Sequence, residues 1–180
     1  MSAINPLADD EVPPRVTKIF DQARAAMGKV PNLFRVLAHA PAALDVYVGG
    51  HGALRGGVLP ATTREMIAIA VATANGCDYC LAAHTGAARA AGVSPEDRAA
   101  AQSGRVSDPH AEAVLKLALA VNANHGRDAT PALEAARAAG LSDAEILETV
   151  AHVSVSILTN SVNNLVGTTL DFPAVARVAA

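Results

Sequence analysis

Apolar residues recur along this chain at helical spacing, and no segment alternates with a two-residue period for long enough to make a strand. From Arg15 the series Val16, Ile19, Phe20, Ala23 and Met27 marks one helical face and stops at Gly28. Pro31-Asn32 starts a short helix with Leu33, Phe34 and Leu37, and Pro41 opens another with Leu44, Val48 and Leu54, ended by Gly56-Gly57. Thr62 is placed to cap a helix through Met66, Ile69, Ala70 and Thr73. That helix closes near Asn75-Gly76, where glycine suits a left-handed C-terminal cap. A new helix begins at Cys77 or Asp78 and runs to Ala91, before Gly92. Ser94-Pro95-Glu96 starts the next by cap and first-turn proline. Further helices fit 108–124, 130–139 and 142–158, and a last one reaches about Thr169 before Pro173. The expected fold class is all-α.

Residues 1–14, ending in Pro13-Pro14, read as an N-terminal arm, and 15–180 as a single all-helical domain. A faint internal repeat appears at an offset of eighty residues. Thr62-Thr63-Arg64-Glu65 aligns with Ser142-Asp143-Ala144-Glu145, each a capping-box pattern opening an apolar helix. On that register Cys77, Cys80 and His84 meet Ile157, Asn160 and Asn164, which predicts two similar helical hairpins. One, about 61–92, carries thiols; its counterpart, about 141–172, carries none.

Composition narrows the classes. Hydrophobic residues make up 51% of the chain and charged ones only 17%, less solvating surface than a monomer of 180 residues needs, so a homo-oligomer is expected. A net charge of -3 and scattered Lys and Arg offer no footprint for nucleic acid or an anionic membrane. The first eleven residues lack a basic n-region and an apolar stretch, and a cytoplasmic location is expected. In a reducing compartment, two cysteines three apart are catalytic or metal-binding rather than structural.

The run Cys77-Asp78-Tyr79-Cys80-Leu81-Ala82-Ala83-His84 carries the chemistry. A thiol must become a thiolate before it attacks, and a helix N-terminus favours the thiolate. His84 follows Cys80 by four residues, so their side chains share a helix face, whereas Cys77 is seven residues from it. Cys80 is thus the thiol with a proton acceptor beside it, and Cys77 the natural resolving partner. Glu65 has two readings. It can return across a helical hairpin to orient His84, giving nucleophile, base and orienter in sequence, or it can be the capping-box glutamate of Thr62. A zinc site from Cys77, Cys80, His84 and an outside ligand is a further reading, though no second Cys-x-x-Cys exists to close it. The other histidines, His39, His51, His110, His125 and His152, read as structural or exposed, His51 being the one to watch. Asn160, Asn163 and Asn164 suggest a buried amide network without a chemical role.

Glu65, eleven intervening residues, Cys77-x-x-Cys80 and then His84 resemble the signature of the alkyl hydroperoxidase D-like branch of the carboxymuconolactone decarboxylase superfamily. The flanks Arg64-Glu65-Met66-Ile67-Ala68 and Asn75-Gly76 look similar, and the tail from Asn163 to Pro173 resembles its peroxidase-related subgroup. The likeness runs from about Val30 to Pro173. It implies an all-helical, oligomeric peroxidase without haem or metal, in which Cys80 attacks the peroxide and Cys77 resolves the sulfenic acid as a disulfide. Glu65 and His84 match the family's proton-relay positions. An external dithiol, from a reductant protein or a lipoyl-type group, then reopens the disulfide. The best-studied branch has a histidine immediately before its second cysteine. This chain has Tyr79 there, which implies a weaker or rerouted relay.

The leading expectation is therefore a thiol-dependent peroxidase acting on hydrogen peroxide or organic hydroperoxides, with no cofactor besides the external dithiol. One rival is a disulfide-exchange adaptor passing electrons between redox proteins. The other is a non-catalytic oligomeric binding protein with an incidental cysteine pair.

Overall fold

The computed structural model describes residues 2–178, so Met1 of the expected arm and residues 179–180 of the expected domain lie outside it. Within those residues there are nine α-helices and no strand. Two 3-10 turns, Asp9–Glu11 and Pro14–Val16, lead into α1 (Thr17–Met27), then α2 (Asn32–Leu37) and α3 (Pro41–Arg55). The centre is α4 (Ala61–Ala74), followed by α5 (Asp78–Ala90) and α6 (Pro95–Ala101). Next come α7 (Pro109–Asn124), α8 (Thr130–Ala138) and the long α9 (Asp143–Val166). Ile67, Ile69, Ala70, Val71 and Ala72 are fully buried, so α4 is apolar nearly all round. Such a helix is stable only when enclosed, and α5, α6, α7 and α9 all pack against it.

Two expectations about helix starts and stops are corrected. Thr62 does not cap α4: the chain enters through Pro60, with ψ 150° and no side-chain cap, leaving Thr62 inside the first turn. Nor does a break fall after residue 158. With no Gly or Pro before Gly167, α9 runs unbroken to that residue, which ends it at φ +66°. The stretch matching the thiol hairpin is therefore one helix: where α4 turns at Gly76, the corresponding part of α9 continues. The Ser142–Glu145 capping box does form, with Ser142 N donating to Glu145 Oε2 at 2.8 Å.

Two long-range ties fix the frame around the thiols. Glu148 on α9 accepts from Val58 N and Leu59 N, 2.8 and 3.0 Å away, locking the α3–α4 loop to α9. The tail returns over α5: Arg177 pairs with Asp78 and donates to Gly76 O at 2.7 Å, while Asp171 accepts from Asn32 N at 3.1 Å.

Candidate active site

The turn between α4 and α5 sets the thiols. Gly76 takes φ +67°, and Cys77 N donates to Ala72 O at 2.8 Å while Gly76 N donates to Thr73 O at 3.1 Å. This is the paired closure of a Schellman cap, and it needs a residue that accepts positive φ. The chain then starts α5 at once. Cys77 is its N-cap, with Sγ accepting from Cys80 N at 3.3 Å. Both sulfurs thus sit at the positive end of α5. Both are free thiols, with Cys77 1% and Cys80 3% exposed.

Around Cys80 Sγ the side-chain polar partners from α9 are one donor and one acceptor. Asn163 Nδ2 donates to it at 3.2 Å, and Thr159 Oγ1 lies 3.9 Å away. A hydrogen bond from the Cys77 thiol stabilises the Cys80 thiolate most. Burial opposes it, the charge of His84 and the amides of Asn163 and Asn160 add to the Cys77 bond, and together they lower Cys80 to about 6. The same bond pushes the Cys77 thiol up, with burial and the Cys80 charge adding to it. One thiol is made acidic at the expense of the other, the asymmetry a nucleophile and a resolving partner require.

Glu65 reaches across the hairpin to His84, Oε2 to Nδ1 at 2.7 Å. The capping reading of Glu65 is overturned, since its carboxylate is on the imidazole and Thr62 is no cap. Burial works against a charged His84, but the Glu65 hydrogen bond and charge, with the Cys80 thiolate, raise its pKa. Burial likewise opposes ionised Glu65, and the bond and charge of His84 with His51 and Arg64 bring it down. With Nδ1 held by Glu65, Nε2 is the nitrogen left to exchange protons.

Beside these groups lies a cavity of about 270 Å³ lined by four helices. Tyr47, His51 and Arg55 come from α3; Arg64, Glu65 and Ala68 from α4; His152, Val155 and Thr159 from α9; His84 closes the α5 side. Burial lowers His51, with the charge of His84 adding to it. Burial, then Arg64 and His51, hold His152 at about 4, so it is neutral at physiological pH. The Tyr47 hydroxyl is pushed up by burial and by the charges of Cys80 and Glu65, and stays protonated.

The fold thus brings together all four residues singled out by spacing, Glu65, Cys77, Cys80 and His84. Tyr79 stands apart: its hydroxyl accepts from Leu33 N at 3.1 Å and its ring packs edge-on to Phe172 at 5.6 Å. It anchors α2 and the tail. His152, read as structural or exposed, is instead a wall of the cavity. Tyr47 and Thr159 were not singled out, and Arg64 only as a flank of Glu65; for the α3 face, the i, i+4, i+8 series Tyr47, His51, Arg55 was the legible signal. The expected network of Asn160, Asn163 and Asn164 does not form among those three: Asn75 bonds Asn160 and Asn122 at 3.0 Å, Asn163 bonds the Cys80 sulfur, and the exposed Asn164 donates to Asn75 O. Among the described residues no group of three or more His, Cys, Asp or Glu is arranged to hold a metal ion.

Residues 41–123, which include all four of these side chains, match the carboxymuconolactone decarboxylase family. No curated protein matches the chain. Among solved structures, the alkylhydroperoxidase AhpD core of an uncharacterized peroxidase-related protein from Ralstonia eutropha JMP134 is similar at 26% identity and a TM-score of 0.85, covering 94% of this chain and 92% of that one. A peroxidase-related protein from Silicibacter sp. TM1040 shares the fold at 23% identity and a TM-score of 0.81, covering 93% and 91%. The debrominase Bmp8, solved with 2,3,4-tribromopyrrole, shares it at 18% identity and a TM-score of 0.77, covering 95% and 92%. Family match and fold agree: residues 41–123 match the carboxymuconolactone decarboxylase family, and the described fold is similar to that of an alkylhydroperoxidase AhpD core.

Proposed function

We propose that the chain is a thiol peroxidase, reducing hydrogen peroxide or organic hydroperoxides through Cys80 and Cys77. The observation that carries the reading is the setting of Cys80: a buried sulfur that receives an amide hydrogen bond from Asn163, four residues from a His84 already paired to Glu65. In the cycle, the Cys80 thiolate attacks the terminal peroxide oxygen and the O–O bond breaks. Sulfur becomes sulfenic acid, and the departing hydroxide or alkoxide takes the proton of His84. Cys77, giving up its proton, attacks the sulfenic sulfur. Water leaves, and a Cys77–Cys80 disulfide remains, which an external dithiol reduces with two electrons. The adaptor reading fits less well, because sulfurs 1% and 3% exposed give a folded partner's disulfide less access than a small peroxide or a slender dithiol needs.

Peroxide consumption with a dithiol reductant tests the proposal, alongside two variants. Cys80→Ser abolishes turnover. Cys77→Ser allows one turnover and leaves a sulfenic acid on Cys80 that dimedone traps for mass spectrometry. A dimedone adduct on Cys77 in Cys80→Ser, with none on Cys80 in the reciprocal variant, would reverse the roles.

A further inference from the structure

The peroxidase cycle leaves two features of the cavity unused: a pair of arginines without carboxylates, and a histidine nitrogen without a partner. Arg64 donates through Nη1 to backbone carbonyls, those of Arg55 at 3.2 Å and Leu59 at 3.0 Å. Arg55 ends α3 on the same wall. Neither is ion-paired among the described residues. The carboxylates of the adjoining elements are engaged elsewhere, Glu65 with His84 and Glu148 with the backbone of Val58 and Leu59. His152 lines the cavity from α9, and its Nε2 is buried with no hydrogen-bond partner. A partner-less buried nitrogen beside an exposed Arg55 and a half-buried Arg64, neither in an ion pair although Arg64 feels the Glu65 charge, is an arrangement that a bound anion relieves.

These groups gather at one end. Glu148 holds Leu59 just before α4 and Asn160 bonds Asn75 just after it, so α4 and α9 run in the same direction; Arg55 O beside Arg64 places the end of α3 at their start. Arg55, Arg64 and His152 therefore sit together, and Thr159, next to Cys80 Sγ, lies seven residues further along α9. Seven residues of helix span ~10 Å. Ala68 and Val155 give the intervening wall an apolar surface.

We propose that the Arg55–Arg64–His152 end of the cavity is a carboxylate subsite, and that the substrates of this thiol are organic hydroperoxides bearing a carboxylate about 10 Å from the O–O bond. The substrate assignment rests on the peroxidase reading; the binding of the anion does not. A monoanion fits better than a phosphate dianion, because Glu65 and the Cys80 thiolate already place negative charge in the same space. The carboxylate takes no part in the chemistry. The O–O bond breaks at Cys80, the alkoxide takes its proton from His84, and a hydroxy acid leaves.

Octanoate and octanamide, chains of equal length that differ in charge, are the probes. They are titrated into the reduced wild-type protein by calorimetry and scored by protection of Cys80 from iodoacetamide. Octanoate is expected to bind at least about tenfold more tightly, the worth of a charge-assisted contact. The ratio falls toward one in Arg64→Gln and drops in Arg55→Gln, the second variant covering a failure of the first to fold. Arg89→Gln, on the exposed side of α5, keeps the preference. Equal affinities in the wild type, no binding of either probe, or a preference retained in both cavity variants would overturn the subsite. An equal loss in Arg89→Gln would do the same, since it would reduce the preference to general electrostatics. A charge preference that survives in a protein unable to consume any peroxide would sink the peroxidase reading and leave the subsite standing.

Discussion

Asn163 shows how a single residue of α9 adds to the acidity that Cys77 gives the thiol. Its amide is the donor contributed by α9 to Cys80 Sγ, at 3.2 Å, in a site where both sulfurs are buried. A hydrogen bond to a charged group contributes about 1.5–3 kcal/mol, and one pKa unit corresponds to about 1.4 kcal/mol. Asn163→Ala therefore raises the Cys80 midpoint by about one unit or more. Alkylation of Cys80 read by mass spectrometry across pH checks it. In the wild type the rate climbs through about 6, where thiol gives way to thiolate, and flattens above; in the variant the whole curve moves to higher pH. An unmoved curve would mean that Cys77 and the helix terminus set the acidity alone. Glu65 acts one step further away. Glu65→Gln removes the charge that holds His84 up, so the imidazole titrates lower and less imidazolium is present at neutral pH to protonate the leaving group. Peroxide turnover falls, by roughly the 10²–10⁴ range of acid–base catalysis at most, while Tm stays close to wild type. Spacing along one helix made Cys80 and His84 legible, and a hairpin argument reached Glu65. Nothing in the sequence could show that Asn163 would point at sulfur, because that contact spans 83 positions and depends on the rotation of α9 about its own axis.

At the level of elements, the sequence carried the turns better than the starts. Gly76 was legible as a left-handed cap because only glycine accepts φ +67° without strain. Gly76→Ala should cost about 1–2 kcal/mol, seen as a lower Tm, and it should also disturb the thiols by shifting the first turn of α5. The two capping-box patterns looked alike in sequence and differ in the fold. Glu145 closes on Ser142, 2.7 Å from its Oγ, whereas Glu65 is drawn away to His84. Glu145 keeps one oxygen on the Ser142 cap and takes His110 with the other, whereas Glu65, with no cap at Thr62, spends its carboxylate on His84. Ser142→Ala is therefore expected to destabilise the protein by about 1 kcal/mol without changing the peroxide rate, and Thr62→Ala to leave stability within about 0.5 kcal/mol of wild type. Thermal melts of the pair decide this; equal losses would restore the cap at Thr62. The unbroken run of α9 escaped the sequence reading for a related reason. Asn160, Asn163 and Asn164 resemble a helix end, since asparagine bonds readily to local backbone. Here their amides are occupied by Asn75 and Cys80, so the helix passes straight through.

For the whole molecule, the all-α class followed from period and punctuation, while the cavity did not, because α9 closes it from far beyond α3, α4 and α5 in sequence. What the composition does say concerns the outside. With 51% of residues hydrophobic and 17% charged, part of the apolar surface stays uncovered in one copy of the chain. Val46 on α3 is 65% exposed and Leu147 on α9 68%, with Val150 one turn further and Val58 in the loop tied to Glu148. Val46, Leu147 and Val150 belong to two of the helices that wall the cavity, with Val58 in the loop beside them, and a second copy is the covering we expect for them. Light scattering after size exclusion should then give a mass that is a multiple of 18.2 kDa. Leu147→Glu puts a charge into that contact, where burying it unpaired is costly, and should shift the population toward the single chain and lower Tm together. The coupling is the informative part. If a neighbour braces α3 and α9, losing it loosens the wall that holds Arg55 and His152, and peroxide turnover falls with protein concentration. A wild-type protein that remains a single chain at micromolar concentration, with turnover independent of dilution, would show that this apolar face needs no partner.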